Sequence, residues 1–331
     1  MTSEAVAFWV VGPGKGELRT EPVPSPGADE VLVRTTCSAV SRGTERLVFS
    51  GRVPADQHQR MRAPFQVGDF PGPLKYGYLS VGEVTQGPPG LTGRTVFCLH
   101  PHQSAYVVPA AAVTVVPAGV PAERAVLAGT VETAVTALWD APPQLGDRVG
   151  VVGAGLVGCC LARLLARMPG VETTVVDVDP ARAATAAALG VGFASPEGAP
   201  TDLDLVFHAS ATAAGLRTAL GMLATDGTVV ELSWYGDTEV DLPLGGDFHS
   251  RRLAVRASQV GRIPPGARPR WTPAGRRALA LDLLADPGFD HLVTGRSRLE
   301  ELPAVMERLA DGSLDGICHV VTYPGGSACS P

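Results

Sequence analysis

Residues 148–158 read RVGVVGAGLVG. An apolar run enters a turn with glycines at 153, 155 and 158, and the apolar helical stretch LVGCCLARLLARM leaves it. Unbroken apolarity suits a strand buried on both faces. Each glycine answers a different need. Gly153 permits the tight turn, Gly155 lets a pyrophosphate approach the backbone, and Gly158 lets helix and strand pack closely. The first helical residues, Leu156, Val157 and Gly158, offer free N–H groups and a positive dipole end to phosphate oxygens. Asp177 closes the next strand, TTVVDV. A carboxylate there accepts hydrogen bonds from both adenosine ribose hydroxyls and repels a 2′-phosphate. The pattern predicts a dinucleotide site that prefers NAD. Arg182, which can lie against adenine or attract a phosphate, keeps NADP open.

After the turn, strand and helix patterns alternate: TTVVDV, ARAATAAALG, LDLVFHAS, TAAGLRTALGMLA, GTVVELSW. This order predicts a parallel sheet covered on both faces. Residues 1–120 read differently. AVAFWVV, EVLVRTT, SVGEVTQG, RTVFCL and SAYVVP are short β-branched or aromatic runs punctuated by Pro and Gly, which predicts a compact barrel-like or sandwich unit. AERAVLAGTVETAVTALWDA has helical spacing. RRALALDLLA and LEELPAVMERLADG are helical near the C-terminus, GICHVVTY is strand-like, and the tail PGGSACSP is expected to fray.

Composition narrows the partners. A net charge of -6 supplies no basic surplus for a phosphate backbone, so nucleic acid is not expected. Lys15 and Lys75 are the lysines of the chain. The six cysteines, Cys37, Cys98, Cys159, Cys160, Cys318 and Cys329, form no C-x-x-C pair and read as free thiols of a reducing cytosol. The stretch MTSEAVAFWVVGPGKGELRTEP has neither the basic region nor the long apolar core of a signal peptide. No run of apolar residues reaches membrane-spanning length. A cytoplasmic protein with a small-molecule substrate and no membrane partner is the expectation.

The stretches SRGTERLVFSGRVP, FPGPLKYGYLSVGEV, RTVFCLHPHQSAYVVP and ELSWYGD, with the glycine turn, resemble the medium-chain dehydrogenase/reductase superfamily over nearly the whole chain. Within it they are similar to the zinc-type alcohol dehydrogenase-like branch that includes bacteriochlorophyllide a dehydrogenase. The resemblance implies an α/β fold. A GroES-like β-rich catalytic domain would span 1–120 and 266–331, and a Rossmann domain with a doubly wound parallel sheet would span 121–265. It also implies hydride transfer between NAD(H) and a secondary alcohol or ketone, and a homodimer that pairs sheets about a twofold axis.

The family's zinc positions are occupied by other residue types. The first ligand aligns with Ser41 or Arg42, the second with Tyr78, its acidic neighbour with Leu79, and the third with Gly129. The lobe of four closely spaced cysteines is absent, because RTVFCLHPHQSAY runs straight through. Cys37, His100, His102 and Glu132 are the residues that could rebuild a site. The expectation is an enzyme without zinc.

Without a metal, a carbonyl oxygen needs hydrogen-bond donors or a general acid. Tyr78 either serves the nicotinamide side or forms an aromatic wall. Lys75 either lowers the Tyr78 pKa or is a solvated loop lysine. His100 or His102 either exchanges a proton at neutral pH or is structural. Glu45 is expected to orient Tyr78, Lys75 or a water, or to pair with an arginine. Thr44 and Ser41 are relay hydroxyls or turn caps. Arg42 is expected on the cofactor pyrophosphate and Thr133 on its nicotinamide side. Ser210, Ser233 and Trp234 end two core strands on the cofactor side, while His208 reads as core. An enoyl or quinone reductase using NAD(P)H and a nucleotide-binding protein without turnover are the competing readings.

Overall fold

The computed structural model describes residues 3–324. Cys329 and the tail after Pro324 lie outside the described residues. The chain divides into two compact units. One holds the residues up to Gly129, Arg277–Ala285 and the segment from Val293 on, and the other holds Thr130–Arg276 and Asp286–Leu292. Boundaries expected at 121 and 266 fall instead inside two helices, Ala128–Asp140 and Pro273–Leu283.

The first unit is β-rich. Strands β1 (Ser3–Gly12) and β2 (Lys15–Val23) form an antiparallel hairpin, followed by β3 (Glu30–Val40), helix α1 (Arg42–Phe49) and the short strands β4 (Val67–Gly68) and β5 (Leu74–Lys75). Then come β6 (Ser80–Gln86), β7 (Thr95–Cys98), β8 (Ala105–Pro109), β9 (Val113–Val115), α2 (Ala122–Ala125) and the start of α3 (Ala128–Asp140). β2 escaped the sequence reading because KGELRTEPV is polar and largely exposed along both faces. In β3 the alternation of side chains sends Val31, Val33, Thr35 and Cys37 inward. Val31 and Val33 pack with Val84, Val96, Cys98, Tyr106 and Val108 as one core.

The second unit is an open parallel sheet with helices. Its elements are β10 (Arg148–Val152), α4 (Leu156–Leu165), β11 (Glu172–Val176), α5 (Arg182–Leu189), β12 (Gly192–Ala194), β13 (Leu203–His208), α6 (Ala213–Met222), β14 (Leu223–Glu231) and β15 (Ala254–Ala257). The strand order is β12-β11-β10-β13-β14-β15, all parallel. The order reverses at β10, which places a ligand crevice beyond the carboxyl ends of the strands there. Val152, Val176, Val206, Leu216, Leu220 and Val229 belong to the core that fixes this sheet to its helices.

After α7 (Pro273–Leu283) the chain returns to the first unit with β16 (Val293–Arg298), α8 (Leu302–Asp311) and β17 (Cys318–Thr322). The larger sheet of that unit runs β16-β17-β3-β6-β7-β9, with β8 also paired to β3, and a smaller one runs β2-β1-β5-β4. No helix among the described residues is long and apolar enough to cross a membrane.

Candidate functional site

The glycine turn joins β10 to α4. Gly153 has φ +105°, and a Cβ there would meet Ser210 N at 2.7 Å. A Cβ on Gly158 would meet Gly153 O at 1.9 Å. Gly155, the N-cap of α4, is exposed and has nothing within 4 Å of its Cβ position. The turn is thus closed on its protein side and open where an anion would approach. The first helical bond, Cys159 N to Gly155 O, leaves the N–H groups of Leu156, Val157 and Gly158 at the helix mouth. Asp177 braces this turn, a role the sequence did not announce. Its Oδ2 accepts from Ala154 N at 2.6 Å and its Oδ1 from Asp179 N at 2.9 Å. A carboxylate has about four lone-pair sites, so capacity remains for ribose hydroxyls. Arg182 pairs with Asp179 at 3.2 Å.

Next to β10 in sheet order, the ends of β13 and β14 carry a polar cluster. Parallel register sets His208 opposite Glu231. His208 is fully buried, and its Nδ1 lies 2.7 Å from Glu231 Oε2. Its Nε2 lies 2.6 Å from Ser210 Oγ, and Ser210 Oγ lies 3.0 Å from Thr212 Oγ1. Ser233 N donates to Glu231 Oε1 at 2.7 Å, and Ser233 Oγ accepts from Ala211 N at 3.0 Å. Tyr235 OH donates to Glu231 Oε2 at 3.0 Å. Burial works to raise the Glu231 pKa, but the hydrogen bonds from His208 and Ser233 outweigh it and hold the carboxyl below its usual range. Ser210, Ser233 and Trp234 stand half-buried past these strand ends. His208, read as core, is buried but belongs to this cluster.

In the β-rich unit a second chain of hydrogen bonds surrounds Tyr78. Ser41 is the N-cap of α1, and its N–H donates to Glu45 Oε1 at 2.8 Å, as in half of a capping box. That leaves the Ser41 hydroxyl free of capping, and it meets Tyr78 OH at 2.5 Å. Glu45 Oε2 lies 2.9 Å from His102 Nε2, and His102 Nδ1 lies 2.7 Å from Ser38 Oγ. Ser38 Oγ in turn meets Tyr323 OH at 2.8 Å. Burial pushes the Tyr78 phenol up to about 12, opposed by hydrogen bonds from Ser41 and Thr44 and assisted by the Glu45 charge. Tyr78 is therefore a neutral donor at physiological pH.

Several expected roles change. Lys75 does not pull the Tyr78 pKa down. It donates to Glu21 at 2.6 Å and Gln103 at 2.8 Å and lies over the Trp9 ring, so its charge is spent on β1 and β2. His100 does not exchange protons at neutral pH. Burial drives its pKa down to about 3, partly offset by its bond to Pro101 O, and its ring stacks 3.6 Å from Tyr106. Glu45 meets His102 directly and reaches Tyr78 only through Ser41, and it does not pair with Lys75. Arg42 donates to the carbonyls of Leu314 and Asp315 at 2.6 and 3.1 Å, inside its own unit. Thr133 is half-buried on α3, next to Glu132, which pairs with Arg276 at 3.1 Å. The sequence does not single out Ser38, Glu231 or Tyr235. Ser38 meets His102, and Glu231 meets His208, only across long sequence separations, and Tyr235 joins the cluster through Glu231.

The zinc positions do not suit the metal. Leu79 is fully buried, and a Cβ on Gly129 would meet Leu79 Cδ2 at 2.5 Å, so any ligand side chain at 129 collides with an apolar plug. Cys37, His100, His102 and Glu132 do not rebuild the site. His102 spends both nitrogens on Ser38 and Glu45, and Glu132 is held by Arg276. Among the described residues no three His, Cys, Asp or Glu side chains gather as a metal site requires.

No protein-family model matches the chain. No protein of curated function matches it either. Among solved structures it is similar to L-idonate 5-dehydrogenase from Escherichia coli K-12, with a TM-score of 0.79 and 15% identity over 98% of this chain and 99% of that one. It is similar to the short chain alcohol dehydrogenase rspB from E. coli CFT073 complexed with NADH, at 0.76 and 15% over 97% and 100%. TarJ from S. aureus in complex with NADPH gives 0.74 and 14% over 97% and 99%. At such identities the likeness is one of fold, and it extends over both units.

Proposed function

We propose that this chain, which has the fold of the medium-chain dehydrogenase/reductase superfamily, is a zinc-independent oxidoreductase acting on a secondary alcohol or ketone of a small molecule with NAD(H). The observation that carries this reading is the Tyr78 phenol. It stands at a ligand position of the zinc enzymes, held by Ser41 and Thr44 and kept protonated.

The residues fit a dinucleotide. The open face at Gly155 and the N–H groups of Leu156, Val157 and Gly158 would hold the pyrophosphate, and Asp177 the adenosine ribose. Asp177 favours NAD, since a carboxylate repels a 2′-phosphate. When bound, the nicotinamide supplies or accepts the hydride. Tyr78 donates a hydrogen bond to the carbonyl oxygen and stabilises the negative charge that grows there during reduction. Ser41 fixes the phenol, and Glu45 fixes Ser41 through its backbone N–H. With a pKa near 12 the phenol is a donor rather than a base. The same donor would serve the carbonyl of an enone, so a substrate screen should set hydroxy/keto pairs against enones and quinones. L-idonate 5-dehydrogenase and rspB, by name, favour the first class.

The edge strand β15 exposes all four of its residues, which supports a homodimer joined edge to edge. A monomer mass by sedimentation at micromolar concentration would remove that part.

The decisive experiment pairs turnover with metal analysis. Tyr78→Phe should lower kcat by about 10²–10³-fold with little change in cofactor binding. Chelator-dialysed protein should turn over without zinc. Unchanged turnover in Tyr78→Phe, or one zinc retained per chain and required for activity, overturns the proposal.

A further inference from the structure

The cluster at the ends of β13 and β14 has an order that its residue types fix. Glu231 accepts three hydrogen bonds, from Ser233 N, Tyr235 OH and the His208 Nδ1–H. An ionised carboxylate only accepts, so the proton between His208 and Glu231 sits on Nδ1. In neutral His208 that leaves Nε2 as an acceptor, and the Ser210 hydroxyl donates to it at 2.6 Å. With the Ser210 proton committed to His208, the contact between Ser210 Oγ and Thr212 Oγ1 takes its proton from Thr212, which also accepts from Gly215 N at 3.0 Å. Every proton in the chain Thr212–Ser210–His208–Glu231 therefore points the same way. Ser210 is left with one lone pair and no spare proton.

Packing holds Ser210 in this state and aims it. A Cβ on Gly215 would lie 2.2 Å from Ser210 Oγ and 2.8 Å from His208 Nε2, so the first turn of α6 closes over the pair. On the other side the Ser210 backbone abuts Gly153 of the glycine turn. The sheet binds a dinucleotide as two halves, one per set of three strands. Asp177 follows β11 and is the residue proposed for the adenosine half. Ser210 follows β13, the first strand of the other set, so it faces the nicotinamide half.

We propose that Glu231 and His208 are positioning residues that fix Ser210 as a hydrogen-bond acceptor for the donor-only group of the nicotinamide half of the cofactor, the carboxamide N–H. The inference rests on the dinucleotide reading and on no step of the Tyr78 chemistry. Glu231→Gln is the informative variant. A glutamine can donate to His208 Nδ1, which moves the ring proton to Nε2 and turns the Ser210 hydroxyl outward as a donor. Ser210 stays in place while its polarity reverses.

The test titrates NADH and ADP into the full chain and reads Kd by fluorescence and calorimetry. ADP carries the adenosine and pyrophosphate but lacks the nicotinamide half. Ser210→Ala and Glu231→Gln should each weaken NADH by about 3–10-fold, one hydrogen bond's worth, and leave ADP unchanged. Ser210→Thr keeps the hydroxyl and should restore NADH binding. Gly215→Ala, whose Cβ would drive Ser210 off His208, should match Ser210→Ala. Wild-type NADH affinity in Ser210→Ala, or equal losses of NADH and ADP, overturns the inference. Failure of the dinucleotide reading shows itself separately, as wild-type protein that binds neither ligand, and it takes this inference with it.

Discussion

Each unit carries a serine, a histidine and a glutamate in series, and the two series end differently. In the β-rich unit Ser38, His102 and Glu45 are all at most 2% exposed, and the serine end closes on Tyr323 OH. In the nucleotide-type unit His208 is just as buried, but the serine end opens at the half-buried Ser210 and the exposed Thr212. The imidazoles are also reversed. His102 gives Nε2 to its carboxylate, whereas His208 gives Nδ1. The same three side chains thus do two jobs. The closed series braces an interior that carries Tyr78 on its outer side through Ser41. The open series presents an oriented hydroxyl at a strand end. A Ser–His–Glu geometry is not in itself a catalytic sign; the outlet of the chain decides.

The difference predicts that damage to the closed series shows in stability and damage to the open one in ligand binding. Stripping the hydrogen-bond partner from a buried charged group costs roughly 3–5 kcal/mol. His102→Ala should lose about that much, because it leaves the buried Glu45 carboxylate to the Ser41 N–H. His208→Ala should lose about 1–3 kcal/mol, since Glu231 keeps bonds from Ser233 and Tyr235 and is partly solvated. Urea unfolding of both variants measures the gap. Equal losses would erase the distinction between the two series.

His100 is the control within the same molecule, a buried histidine with no carboxylate. Its folded pKa near 3 lies below the unfolded value of about 6.5. Between these values the unfolded chain binds the extra proton, so stability falls as pH drops through that window and is fully present above it. Going from pH 6.5 to 4.5 should cost roughly 2–3 kcal/mol from this residue, at a limiting slope of about 1.4 kcal/mol per pH unit. His100→Phe keeps the stack on Tyr106 and should flatten the slope between pH 6.5 and 5, above most carboxylate titration. Unchanged slopes by chemical denaturation at stepped pH would show that His100 carries no such load.

These contrasts explain what the sequence could and could not disclose. The parallel sheet was legible because a local pattern, Gly153, Gly155, Gly158 and then Asp177, sits among unbroken apolar strands. The replaced zinc positions were legible too, since Tyr78, Leu79 and Gly129 fall in stretches with recognisable neighbours. The pairings were not. His208 meets Glu231 only through the register of β13 against β14, and Glu45 meets His102 only once α1 and the loop before β8 have folded together. Lys75 misled for the same reason. It lies three positions from Tyr78 in the chain, yet the hairpin of β1 and β2 captures its ammonium on Glu21. Polar strands such as β2 and β16 stayed hidden because neither face is uniformly buried.

The smallest expected effect probes the open end alone. Thr212 is the N-cap of α6, and its hydroxyl both accepts Gly215 N and donates to Ser210. Thr212→Ala should cost about 1 kcal/mol, the usual price of a lost cap, seen as a modest drop in Tm. It also removes the donor that occupies one Ser210 lone pair without altering the His208 bond. NADH affinity should therefore hold or tighten slightly while stability falls, the reverse of the pattern for Ser210→Ala. Thr212→Ser restores the cap and should restore Tm. If Thr212→Ala instead weakens NADH as strongly as Ser210→Ala does, Thr212 itself contacts the ligand, and the open series ends one hydroxyl further out.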